Sequence, residues 1–166
     1  MFVLGIDPGL SRCGYGVVSR GPGAELRAVA AGVVETDTAA DLPDRLRHLR
    51  DELQSLYREF SPECVVVERV FFQVNARTAM SVGQASGLAL AEAAARGCEV
   101  VQYTANEVKQ AVVGYGSATK SQVQRMVAAV LRLDAPPSAP DAADALALAV
   151  CHLTTLPLRR AVRAAQ

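Results

Sequence analysis

Four carboxylates in this chain are placed for chemistry rather than for solubility. Asp7 closes the apolar run Phe2-Val3-Leu4-Gly5-Ile6 and is followed by the breaker Pro8-Gly9, and Glu68 closes a second run, Cys64-Val65-Val66-Val67. Runs that are apolar at every position suit strands covered on both faces, where an uncompensated carboxylate costs several kcal/mol. Asp141 and Asp144 stand three residues apart near the C-terminus, so on a helix they share a face. Each acid has a bland alternative on its own: Asp7 as an Asx-turn residue, Asp141 as a first-turn acid favouring the helix dipole. Together, and with no obvious cationic partner, they predict a divalent metal site. Hard oxygen donors suit Mg²⁺ or Mn²⁺ and leave positions for water and phosphate oxygens. That is the donor set of two-metal phosphodiester hydrolysis.

The acids must be positioned by the elements around them. After the first strand, segments 14–19 and 25–35 read as two more strands joined by the turn Gly21-Pro22-Gly23. Leu42, Leu46, Leu49, Leu53 and Leu56 recur at spacings of three and four, a helix over 42–60 that ends before Ser61-Pro62. The apolar strand 64–67 follows, then a helix over about 78–96 closed by Gly97, a strand over 99–102, and helices near 106–113 and 120–132. A final helix starts at Pro140 and is expected to end near Leu153. The pattern predicts an α/β domain over 1–156, with a five-stranded mixed sheet flanked by helices. Asp7 and Glu68 should end neighbouring strands, at the edge where such sheets place their sites. Residues 157–166, with Arg159, Arg160 and Arg163, are expected to form a basic, flexible tail.

At 166 residues, about half of them apolar, the chain has room for one good core and no second lobe. Net charge is zero, but residues 1–68 carry seven Lys/Arg against eleven Asp/Glu, whereas residues 69–132 carry seven against three. A basic middle therefore adjoins an acidic first third. The cysteines Cys13, Cys64, Cys98 and Cys151 are scattered without a Cys-x-x-Cys pair, which suits buried thiols in a reducing compartment. The chain opens directly into a strand, and its apolar stretches are interrupted by Glu, Gln, Gly or Pro before reaching membrane-spanning length. A soluble, cytoplasmic protein without membrane contact is expected.

The motif Gly5-Ile6-Asp7-Pro8-Gly9, the segment Glu68-Arg69-Val70-Phe71 with Asn75 and Gly83-Gln84-Ala85-Ser86-Gly87, the run from Gly114 to Val123, and Asp141-Ala142-Ala143-Asp144-Ala145-Leu146-Ala147 resemble, in order and at natural spacing, the RuvC family of Holliday-junction resolvases. The resemblance spans residues 1 to about 153. It implies a ribonuclease H-like fold and a homodimer. It also implies Mg²⁺-dependent paired nicking of four-way DNA junctions in recombination and repair, and cooperation with the RuvA and RuvB branch-migration proteins. The family's metal-binding acids map onto Asp7, Glu68, Asp141 and Asp144, with two Mg²⁺ per site and Mn²⁺ as a substitute. Some relatives carry His where this chain has Asp141, so the chain resembles the all-carboxylate subtype. Two-metal chemistry implies 5′-phosphate and 3′-hydroxyl ends.

The basic middle fits such a substrate. Arg69, Arg77, Lys109, Lys120 and Arg125 are candidates to neutralise phosphates, with a solvated helix face as the alternative. Lys109 and Lys120 fall where the family has basic residues tied to DNA binding and activity, and Lys120 is the candidate for the scissile phosphate. The loop around Gly114 and Gly116 approaches the nucleotide-binding P-loop pattern, but Thr119 stands where that pattern needs Gly. Its backbone N–H groups are instead expected to meet a DNA phosphate. The resemblance gives Phe71 a stacking or wedge role at the junction centre, with Phe72 beside it as either a partner or a core residue. Gly83, Ala85, Ser86, Gly87, Ala89 and Ala91 give the long helix a small-residue surface that packs on the sheet or on a second subunit. His152 lies about 12 Å along a helix axis from Asp144 and cannot share its ion. Rival readings are a ribonuclease H acting on RNA–DNA hybrids, an actin-like sugar kinase or ATPase, for which the chain is one lobe short, and a catalytically dead DNA-structure-binding module.

Overall fold

The computed structural model describes residues 1–69 and 76–164. Five strands form one sheet in the order β3-β2-β1-β4-β5. The strands β1 (Phe2–Asp7), β2 (Arg12–Arg20) and β3 (Leu26–Glu35) make an antiparallel meander, turned at 21–24 by a Gly21 N–H to Glu25 carbonyl bond and by Ala24 at φ 64°. A register shift between Val17 and Val18 bulges β2 against β3. On the other side of β1, β4 (Cys64–Glu68) and then β5 (Glu99–Tyr103) run parallel, with Ile6 opposite Val67. The two wholly apolar runs are thus the central strands. Val3, Leu4, Ile6 and Cys64 through Val67 are fully buried, as strands covered on both faces require.

Each face is closed differently. Helix α1 (Leu42–Phe60) buries Leu49, Leu53, Leu56 and Tyr57 beside helix α2 (Ala76–Ala95). Helix α1 stops where Ser61 turns to φ 43° ahead of Pro62. These helices meet Leu4, Ile6, Val17, Val65 and Val67. The opposite face is covered by α3 (Ala105–Val113), α4 (Lys120–Leu131) and α5 (Pro140–Ala164), over Val3, Val18, Val66 and Val101. Both α3 and α4 open with complete capping boxes. The Thr104 and Thr119 side chains accept from the N–H of Glu107 and Gln122, whose own side chains accept from the capping residues' N–H groups.

One expected boundary is corrected. The last helix does not end near Leu153 but continues through Pro157 to Ala164. Proline leaves the carbonyl four residues back without its helical donor. That carbonyl, Leu153, instead accepts from the Arg20 guanidinium of β2 at 3.3 Å, so the helix passes the proline with that acceptor satisfied.

Candidate active site

Strand order places the first two acids. Asp7 and Glu68 terminate parallel neighbours, and by strand alternation both side chains point to the α5 face, along with Gly5 and Val66. Helix α5 then supplies Asp141 and Asp144 from its first two turns. It comes this close because the sheet beneath the first turns of α5 presents Gly5, Gly14 and Gly16. A Cβ on Gly5 would fall 2.0 Å from the Ala145 carbonyl oxygen, and one on Gly14 would fall 2.1 Å from that of Asp141. The small residues Ala145 and Ala149 complete this backbone-on-backbone contact.

Asp7, Glu68 and Asp144 line a cavity of about 230 Å³ together with Lys109 and Lys120, over an apolar floor that includes Val108, Val123 and Leu148. Burial, followed by the charges of Glu68, Asp144 and Asp141, pushes the Asp7 carboxyl well above the usual carboxylate range, with Lys120 pulling the other way. Glu68 is raised as well, again chiefly by burial. Both carboxyls are thus held above the range of exposed acids, chiefly because burial disfavours their charged forms. Asp144 Oδ2 meets Lys120 Nζ at 2.5 Å. Burial works against the lysine charge, but Asp144, Asp7 and Asp141 outweigh it and keep the amine above its ordinary value.

The expectation that the acids lack cationic partners is therefore corrected. Lys120 takes Asp144, and Arg12, the first residue of β2, takes Asp141 through Nε at 2.9 Å while also pairing with Glu35. Sequence reasoning missed Arg12 because its partner lies 129 residues away. The only local hint was a basic residue opening the strand that follows the Asp7 turn.

The remaining candidates are placed less closely. Arg69 is exposed just past Glu68, with its N–H bonded to the Tyr103 carbonyl at 2.8 Å. Arg125 is exposed on α4, and Arg77 falls in the first turn of α2. Gly114 closes α3 at φ 100°, a conformation that L side chains rarely adopt, and Gly116 follows in the loop that delivers Lys120. Phe71 and Phe72 lie outside the described residues. Among the described residues, no helix is long and apolar enough to cross a membrane.

Residues 3–152 match the family model for the crossover junction endodeoxyribonuclease RuvC. The protein of that name from Streptomyces avermitilis is 50% identical over 165 residues, 99% of this chain and 94% of its own length. Among solved structures, Thermus thermophilus RuvC is 36% identical with a TM-score of 0.88, covering 96% of this chain and 97% of that one. T. thermophilus RuvC in complex with Holliday junction substrate is 32% identical with a TM-score of 0.86, covering 95% and 96%. Sheet order, the acid-bearing edge and full-length identity agree, and the chain belongs to the RuvC family of crossover junction endodeoxyribonucleases.

Proposed function

We propose that this protein resolves four-way DNA junctions by paired, metal-dependent phosphodiester hydrolysis, leaving 5′-phosphate and 3′-hydroxyl nicks. The observation that carries the reading is the convergence of Asp7, Glu68 and Asp144 with two lysines on one open cavity, where burial raises both Asp7 and Glu68. Such a donor set fits hard divalent cations, because a dipositive charge stabilises the ionised form of carboxylates that burial disfavours. Asp7, Glu68, Asp141 and Asp144 would hold two Mg²⁺ ions, with Mn²⁺ as a substitute. Bound there, the ions supply an activated water and stabilise the departing 3′ oxygen.

The chain's own residues do the rest. Asp7 and Glu68, at the ends of adjacent strands, would hold the ions as carboxylates. Arg12 holds Asp141 in one orientation through its fork to Glu35. Lys120, which leans on Asp144 and is more than half exposed, is placed to exchange that partner for a phosphate oxygen, and Lys109 offers a second charge on the same cavity. Arg69, Arg77 and Arg125 extend the phosphate-binding surface, with the Gly114 and Gly116 loop beside them. A homodimer suits a junction of roughly two-fold symmetry, since an isologous pair presents two identical sites. The resemblance supports cooperation with RuvA and RuvB, in the cytoplasm.

The test is cleavage of a synthetic four-way junction against an RNA–DNA hybrid duplex, with and without Mg²⁺ and with nick positions mapped. Symmetric nicks on the junction alone, dependent on metal, are expected. Preference for the hybrid would replace this reading with a ribonuclease H.

A further inference from the structure

The sheet has a second chemically loaded end, opposite the acids. Cys64 and Glu99 are paired first residues of the parallel strands β4 and β5, so both sit at the amino-terminal edge, and by alternation both face α5. From α5, His152 comes down onto them. One ligand atom from each of the three residues, the Cys64 sulfur, a Glu99 carboxylate oxygen and a His152 ring nitrogen, lies within 4.8 Å of the others. Cys64 and His152 are fully buried, whereas Glu99 reaches solvent.

We propose that Cys64, Glu99 and His152 form a site for a single zinc-class divalent transition-metal ion at the sheet edge remote from the acids. The donors are of the right type, since thiolate, imidazole and carboxylate together suit zinc and not magnesium. Tetrahedral bonds of about 2.0–2.3 Å set neighbouring donors roughly 3.5 Å apart, so closing the trio takes a contraction of at most about 1.3 Å. The exposed Glu99 side chain can supply that movement. The histidine is already braced as metal-bound histidines are. Its Nδ1 lies 3.2 Å from the Tyr103 hydroxyl, which lies 3.2 Å from Thr155 Oγ1, and this directs Nε2 to the ion. On binding, a sulfur–metal bond forms and the thiol proton passes to solvent. Solvent completes the fourth position on the Glu99 side.

The location gives such an ion a purpose. From Cys64 to Glu68 is about 13 Å of strand, and from His152 back to Asp144 is about 12 Å of helix. The trio and the acids are therefore the two ends of one antiparallel strand–helix pair, β4 with α5. An ion at one end would clamp the elements whose other ends carry Glu68 and Asp144.

Cobalt(II) is the probe, titrated into the full chain. A near-ultraviolet thiolate-to-cobalt band with visible tetrahedral bands is expected, saturating at one ion per chain and abolished by excess Zn²⁺. Asp7→Asn should leave the band unchanged, which separates this site from the acids. Cys64→Ser should remove it. Glu99→Gln, an exposed change that spares the interior, should weaken binding by roughly tenfold or more, the scale on which even outer partners of metal ligands act. The absence of a sulfur band in the wild-type protein would overturn the proposal, as would one that persists in Cys64→Ser or has unaltered affinity in Glu99→Gln. None of these readouts involves DNA, so this site and the junction-resolving role stand or fall separately.

Discussion

The two faces of the sheet are packed on different principles. On one, α1 packs through the bulk of Leu49, Leu53, Leu56 and Tyr57, while α2 adds Ala85, Ala89 and Ala93. On the other, α5 lies with its backbone against Gly5, Gly14 and Gly16, with no side chain between. The first face gains stability from buried area, roughly 1.5–3 kcal/mol for each large side chain. The second buries large side chains as well, Leu146, Leu148 and Leu153 among them, but gives up area at its glycines to fix distance, because Asp141 and Asp144 reach Asp7 only if α5 sits directly on β1 and β2. Changes on the leucine face should act on stability and leave the chemistry of the folded molecule intact. Changes at the glycine seat should act on the chemistry more than on stability.

The largest effect expected tests the acids themselves. Asp7→Asn or Glu68→Gln should bring junction cleavage to background while junction binding, measured at fixed salt, stays near wild type. Near wild-type cleavage by either variant would remove the acids from the mechanism. Next comes the glycine seat. Gly5→Ala puts a methyl group into the space of the Ala145 carbonyl, and overpacking of this kind costs about 1–3 kcal/mol. Cleavage should nevertheless fall far more than the folded fraction does. Leu53→Ala is the counterpart: a loss of about 2–5 kcal/mol in urea unfolding, with turnover per folded molecule unchanged. If the two variants lost activity and stability in the same ratio, the contrast between the faces would fail.

Lys120→Ala should lower turnover more than junction affinity, because an interaction strengthened in the transition state appears in the rate. The smallest effect lies at the rim of the leucine face, where Glu92 of α2 is bonded to Arg50 and Gln54 of α1 and to Arg96. Arg50 first, then Arg96, hold this carboxyl at about 2. A depressed folded-state pKa contributes stability that is present above the unfolded value of about 4.3 and is lost as pH falls toward 2. Glu92→Gln should cost no more than about 1 kcal/mol at pH 7. That difference should shrink as pH falls through about 2 and vanish below it.

What the sequence reveals divides along the same lines. Periodicity, breakers and apolar runs mark all five strands and, apart from the C-terminal end of α5, the helices within a residue or two, because each is a local signal. The strand ends announce Asp7 and Glu68 for the same reason. The partners of Asp141 and Asp144 were not legible: Arg12 and Lys120 meet them only through tertiary packing, and a glycine seat reads in sequence as any other glycine. Pro157 misled because its cost is relieved by Arg20, a residue 133 positions before the carbonyl it satisfies. The cysteine and histidine at the far edge stand in separate apolar runs with nothing between them to suggest a common site.

The capping box at the start of α4 has a consequence for Lys120 that lies in angle rather than in energy. Lys120 is the first residue after the Thr119 cap, and an α-helix advances about 100° per residue. A start displaced by one residue would therefore swing the lysine about a quarter of a turn around the axis, away from Asp144, without unwinding a single turn. Thr119 and Gln122 act as a phase reference: they set the angular zero of the helix and so aim an ammonium group that neither of them touches.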